Sequence, residues 1–145
     1  MTEQQWRVFA LEGTRTGKVA TTRRDGRPHL TPIWFLLDEV EGRAPEVVFT
    51  TWHESVKFRT LRREPRFSLC VDDQAPPFSY VVLECVARLV DDQDELAHWA
   101  TRIAGRYMGP RLAESYGARN SVPGEWLVRG RVEKVMAVSG VADEG

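Results

Sequence analysis

The residue types best suited to chemistry concentrate between positions 50 and 66. Two hydroxyls, Thr50 and Thr51, close the β-prone run EVVFTTW at 46–52. A short polar turn follows, and Ser55 stands in a capping position ahead of the helical pattern SVKFRTLRR. Val56 and Lys57 fall in the first turn of that helix. The first amides of a helix have no internal partner and favour an anion. Hydroxyls and an ammonium beside such amides make a compact phosphate site. Arg59, Arg62, Arg63 and Arg66 follow at i, i+3, i+4 and i+7. The residues alone leave two readings open: an anion site at Lys57, and a solvated basic face of an amphipathic helix.

Three other segments carry candidate groups. In Leu30–Phe35 (LTPIWF), Trp34 and Phe35 on a strand form either a flat wall for a planar ring or core aromatics. The Pro-rich loop Pro76-Pro77-Phe78 leads through Ser79 into Tyr80 and can line a pocket. Arg106 and Tyr107, in RYMG, either border a substrate space or serve helix packing with a surface ion pair. The carboxylate pairs Asp72-Asp73 and Asp91-Asp92 sit beside strand ends and read as turn and helix-start devices. No GxSxG, GxxxxGKS or GxGxxG occurs. No dedicated catalytic side chain is assigned.

Cys70 and Cys85 lie in apolar runs without a CxxC, so free buried thiols are expected. His29, His53 and His98 form no cluster, and no metal site is expected. The 145 residues carry 20 basic and 21 acidic side chains, a net charge of -1. That balance argues against a nucleic-acid-binding surface. The length suits one domain, placed at 1–140, with a small acidic tail at 141–145 expected to fray. No apolar run approaches the ~20 residues of a membrane span. The start, MTEQQW, has neither a basic region nor an apolar core, so a cytoplasmic protein without membrane partners is expected.

The elements that must position these groups follow from periodicity and breakers. Helices are predicted at 3–11, 55–63 and 91–108, with one further turn at 111–116. Strands are predicted at 18–24, 28–37, 46–52, 67–71 and 80–90, with closing strands at 125–131 and 133–139. Asp25-Gly26 marks a tight hairpin turn, and Pro32 argues for an edge position or a bulge. Strands and helices do not alternate, which argues against a parallel doubly wound sheet. The expected fold is mainly β (α+β): an antiparallel split β-barrel of about six strands with peripheral helices.

The order TTRRDGRPHLTPIWFLLD, VVFTTWHESVKFRTLRREPRFSLCVDD, PPFSYVVLECVARL, RIAGRYMG, EWLVRGRVEKV resembles the pyridoxamine 5'-phosphate oxidase-like, FMN-binding split-barrel superfamily. The likeness runs from about Gly17 to Val138. It is greatest to the small oxidoreductases that use the deazaflavin coenzyme F420. The resemblance implies a homodimer with the cofactor in a groove at the subunit interface. It implies a phosphate held at Thr50, Thr51, Ser55, Val56 and Lys57, which selects the anion reading. It implies a ring lying along Thr31, Pro32, Ile33 and Trp34, with Ser79 and Tyr80 near the ring or tail. FMN-using oxidases of the superfamily place an arginine and a lysine on this second strand. Leu30–Phe35 has neither charge, so the resemblance implies F420, with FMN as the alternative. The implied activity is hydride transfer from F420H2 to a small or medium electron-poor substrate. A non-enzymatic carrier of a cofactor or tetrapyrrole, with His29, His53 or His98 as axial ligand, is the reading from a different class.

Overall fold

The N-terminal helix forms because Thr2 can cap it. In the computed structural model, which describes residues 1–143, the Thr2 hydroxyl accepts from the Gln5 amide at 3.1 Å. The Gln5 side chain accepts from the Thr2 amide at 2.8 Å. This reciprocal box starts α1 (Glu3–Leu11). Four strands and a second helix follow: β1 (Gly17–Thr22), β2 (Pro28–Ile33), β3 (Leu36–Asp38), β4 (Glu46–Trp52) and α2 (Val56–Arg63). The chain continues through β5 (Arg66–Asp72), β6 (Tyr80–Val90), α3 (Gln93–Met108), α4 (Ala113–Arg119) and β7 (Glu125–Val138).

All seven strands join one sheet in the order β2-β1-β5-β6-β7-β4-β3, every neighbouring pair antiparallel. This corrects the expected six-stranded barrel in two respects. There are seven strands, and the hydrogen-bond ladder is open between β2 and β3. The expected strand at 28–37 breaks at Trp34-Phe35 and contributes to both sheet edges. Those two residues span at most about 11 Å between Ile33 and Leu36. The sheet therefore curls until its edges approach. Pro32 lies on edge strand β2, where its missing N–H costs no ladder bond. The two expected closing strands are one, β7, with a register shift opposite Glu84/Cys85 that bends it.

The curl encloses the main core. Val19, Phe35, Val47, Phe49, Leu69, Val71, Val81, Leu83 and Val128 point inward, and Trp6 and Ala10 of α1 pack against them. A second core lies outside the sheet, where α3 lays Leu96, Trp99 and Ile103 on Val48 and Leu127. Arg129 of β7 ties this layer together. The residue is 8% exposed, and its guanidinium donates to Glu95 at 2.6 Å, Asp38 at 2.8 Å and Glu46 at 3.2 Å. Burial works against its charge, but the bonds to Asp38 and Glu95 outweigh that and hold its pKa above the usual value.

Gly117 lets α4 approach α3. A Cβ at this position would meet the Thr101 Cα at 2.7 Å. Backbone cannot yield there, so Gly117→Ala is expected to cost about 1–3 kcal/mol in a urea titration. Cys85 is buried, and burial together with nearby Glu133 pushes its thiol up to about 12. At pH 8 a thiol reagent is expected to spare Cys85 in the native protein and to modify it after denaturation. The raised folded value means this group's contribution to stability is full below the ordinary 9.0 and is lost as pH climbs towards 12. Residues 141 and 142 do not hang free: their amides donate to the Phe78 and Pro77 carbonyls at 2.8 Å each. The rest of the expected frayed tail, 144–145, lies outside the described residues.

Candidate functional site

A cavity of about 360 Å³ opens where β4, the start of α2 and the end of β2 meet the α3–α4 layer. This falls within the range of small-ligand pockets. The α2 start is built as its sequence requires. The Ser55 hydroxyl accepts from the Phe58 amide at 3.0 Å and lies 2.9 Å from the Thr51 hydroxyl. One first-turn amide is thereby satisfied, and those of Val56 and Lys57 are left for an outside acceptor. Lys57 reaches back across the seam to β2, where its ammonium donates to the Thr31 hydroxyl at 3.1 Å. Burial lowers the Lys57 pKa, and Glu125 partly restores it.

Of the eleven residues named from the sequence, seven line this cavity: Pro32, Ile33, Trp34, Thr50, Thr51, Ser55 and Lys57. Thr31 joins through its bond to Lys57. Val56 exposes its side chain and can contribute only its amide. Ser79 and Tyr80 are not brought to the cavity within this chain. Tyr80 pairs with Val138 at one end of β7, whereas Glu125 at the other end lines the pocket. Ser79 accepts from the Gly140 amide at 3.1 Å.

Trp34 forms a pocket wall, but one of its faces is already covered. Tyr107 stacks on it at 5.1 Å between centroids and 5° between planes. Phe35 is fully buried core. Arg106 and Tyr107 resolve to packing, though not through an ion pair. Arg106 donates to the carbonyls of Ala10, Gly13, Arg15 and Phe35 at 2.7–3.3 Å. The Tyr107 hydroxyl donates to the Arg15 carbonyl at 2.8 Å. Together they satisfy backbone groups of the α1–β1 loop and of the β2–β3 break.

Trp52, Ala100, Ile103, Asn120 and Glu125 also line the cavity and were not found by reading the sequence. Trp52 ends β4 beside Thr51, whereas the other four come from α3, the end of α4 and the start of β7, and no local motif marks them. Gly124, at φ +101°, sets Glu125 in place. A Cβ on Gly124 would strike the Trp52 ring at 2.6 Å. His29, His53 and His98 sit on β2, after β4 and on α3. His53 lies 3.1 Å from the Gly124 carbonyl, and His98 packs edge-on to Trp99. Burial, then Arg23 and Lys57, lower the His29 pKa. Among the described residues no group of three or more His, Cys, Asp or Glu could hold a metal ion, and no helix is long and apolar enough to cross a membrane.

A family model for pyridoxamine 5'-phosphate oxidase matches residues 2–138. The chain belongs to that family. Solved structures similar to this member include the conserved hypothetical protein Rv2991 from Mycobacterium tuberculosis. It is 27% identical with a TM-score of 0.78, over 94% of this chain and 84% of that one. An F420 reductase is 22% identical with a TM-score of 0.67, over 89% and 94% of the two chains. HutZ, a heme storage protein from Vibrio cholerae, is 19% identical with a TM-score of 0.71, over 97% and 98%. At those identities the last two show that the pyridoxamine 5'-phosphate oxidase fold is shared.

Proposed function

We propose that this chain is an F420H2-dependent oxidoreductase that transfers a hydride from the reduced deazaflavin to a small or medium electron-poor substrate. One observation carries the reading: the same cavity holds an anion-binding end and a ring-facing strand without charge. The donor set fits a phosphate. Lys57 brings an ammonium, Thr50, Thr51 and Ser55 bring hydroxyls, and α2 begins there with two unsatisfied amides. Across the cavity Pro32, Ile33 and Trp34 offer apolar surface and backbone only. The arginine and lysine expected of an FMN-using oxidase are absent from this strand. This favours a deazaflavin over FMN.

Bound there, reduced F420 supplies the hydride. The residues of this chain bind, orient and exclude water. Lys57 anchors the phosphate end. The β2 backbone fixes the ring plane, and Trp34 is held against Tyr107 as a rigid wall. Ala100 and Ile103 of α3 keep the far side apolar.

The reading includes a homodimer with the cofactor at the subunit interface. An uncovered sheet face supports it. The register aligns Pro32, Lys18, Cys70, Val82 and Met136 across five strands, and Tyr80 pairs with Val138 on the same face. Tyr80, Met136 and Val138 are exposed. Pro32 belongs both to this face and to the cavity. A second copy packed on this face would bring its Ser79 and Tyr80 towards the cavity of the first. The test of the activity is a single turnover. Protein loaded with F420H2 is mixed with electron-poor acceptors, and the return of oxidised F420 absorbance is followed. Return with at least one acceptor, faster than in free solution, is expected. No acceleration with any acceptor contradicts the enzyme reading.

A further inference from the structure

We infer that Glu125 makes the cavity prefer a singly charged phosphodiester to a doubly charged phosphate monoester. The inference rests on the cofactor reading above and names the residue that decides between its two candidate cofactors. F420 carries its phosphate as a diester with one negative charge. FMN ends in a monoester, whose charge at neutral pH is about -1.5 to -2.

Lys57 and Glu125 are the two charged residues that line the cavity. They enter from different elements, α2 and the first residue of β7, and no direct ion pair joins them. Each is felt by the other. Burial raises the Glu125 pKa while Lys57 and His53 lower it, and Glu125 in turn raises that of Lys57. His53 follows β4, and its other charged neighbour is Glu54, at 3.6 Å. The remaining polar groups lining this end, Thr50, Thr51, Ser55 and Asn120, are uncharged, and His29 on β2 lies near enough to Lys57 for that ammonium to lower its pKa.

The backbone that carries the carboxylate is held at the start of a strand. The Glu125 amide donates to the Val122 carbonyl at 3.0 Å, and Glu125 pairs with Trp52 across the sheet. A Cβ on Gly124 would strike the Trp52 ring, so this turn cannot move away without repacking. The formal charges of the cavity lining therefore cancel. One anionic charge is matched by Lys57. A second meets the Glu125 carboxylate with no further cation in the lining, and the partly buried site screens that repulsion poorly. A monoester dianion thus bears a penalty that a diester escapes.

Glu125→Gln removes the charge and keeps the shape. The dissociation constants of F420 and FMN are to be measured by fluorescence titration at pH 7.5, for the parent and for this variant. Glu125→Gln is expected to tighten FMN by about tenfold and F420 by no more than about threefold. Glu125→Asp is expected to retain the parental preference. Equal changes for both ligands, or no change for either, would overturn the inference while F420 binding by the parent leaves the cofactor reading standing. A parent that does not bind F420 overturns both. An arm independent of folding of the variants uses the parent at pH 5.5. There the FMN phosphate is mostly singly charged, so the preference for F420 should narrow; an unchanged ratio sinks the inference.

Discussion

Arg129→Met lowers the stability of the fold by about 3 kcal/mol, near the lower end of the usual cost of breaking a buried ion pair. The guanidinium is the shared partner of Asp38, Glu46 and Glu95, drawn from β3, β4 and α3. Glu46 is itself buried and keeps only long contacts to Arg88 and Arg43, at 3.8 and 3.9 Å. Those two arginines are more than half exposed and soften the loss, which is why the lower end of the range applies. For a chain of this length the change corresponds to a fall in Tm of about 10 °C, read by calorimetry. Arg129→Lys keeps the charge but not the three-way fork and should recover only part of it. The effect extends to the cavity. Glu95 starts the helix whose Ala100 and Ile103 form the far wall, so the variant should also bind the cofactor more weakly. A Tm within 2 °C of the parent would show that the network is dispensable.

Lys57→Ala weakens F420 binding by about tenfold to a hundredfold, the worth of one charge-assisted hydrogen bond of about 1.5–3 kcal/mol. Two consequences separate this from a general loss of structure. The ammonium is half-buried and burial disfavours its charge, so its removal should leave Tm almost unchanged. The Thr31 hydroxyl loses its partner but sits at a half-open position where water can replace it. Lys57→Arg should restore part of the affinity. Unaltered F420 affinity in Lys57→Ala would mean that the phosphate is held elsewhere.

Features encoded by neighbouring residues were legible in the sequence. The helix at 3–11 shows in the helical spacing of Trp6, Phe9 and Ala10 and in the Gly13 that follows, and its bounds match α1 residue for residue. Ser55 caps α2 as its place ahead of the helical period requires. The grouping of Thr50, Thr51, Ser55 and Lys57 on one cavity wall is legible for the same reason, because they sit within eight residues. What was hidden depends on distant pairing. The expected strand at 28–37 runs apolar without a break from Pro32 to Leu37, and nothing local shows that Trp34-Phe35 switches from one sheet edge to the other. The bend in β7 arises opposite Glu84/Cys85 and carries no turn signal of its own, so one strand reads as two. Asn120 and Glu125 follow α4 and open β7, and only tertiary packing brings them to Lys57. Arg106 reads as a surface charge because backbone carbonyls, its actual partners, leave no mark in a sequence.

The proposed function rests on a preference of this cavity for a deazaflavin. It is tested most directly by titrating the cofactor-stripped parent protein with F420 and with FMN in parallel, following fluorescence. Micromolar or tighter binding of F420 is expected, with FMN weaker by about tenfold or more. FMN binding as tight as F420, or no binding of either, would contradict it.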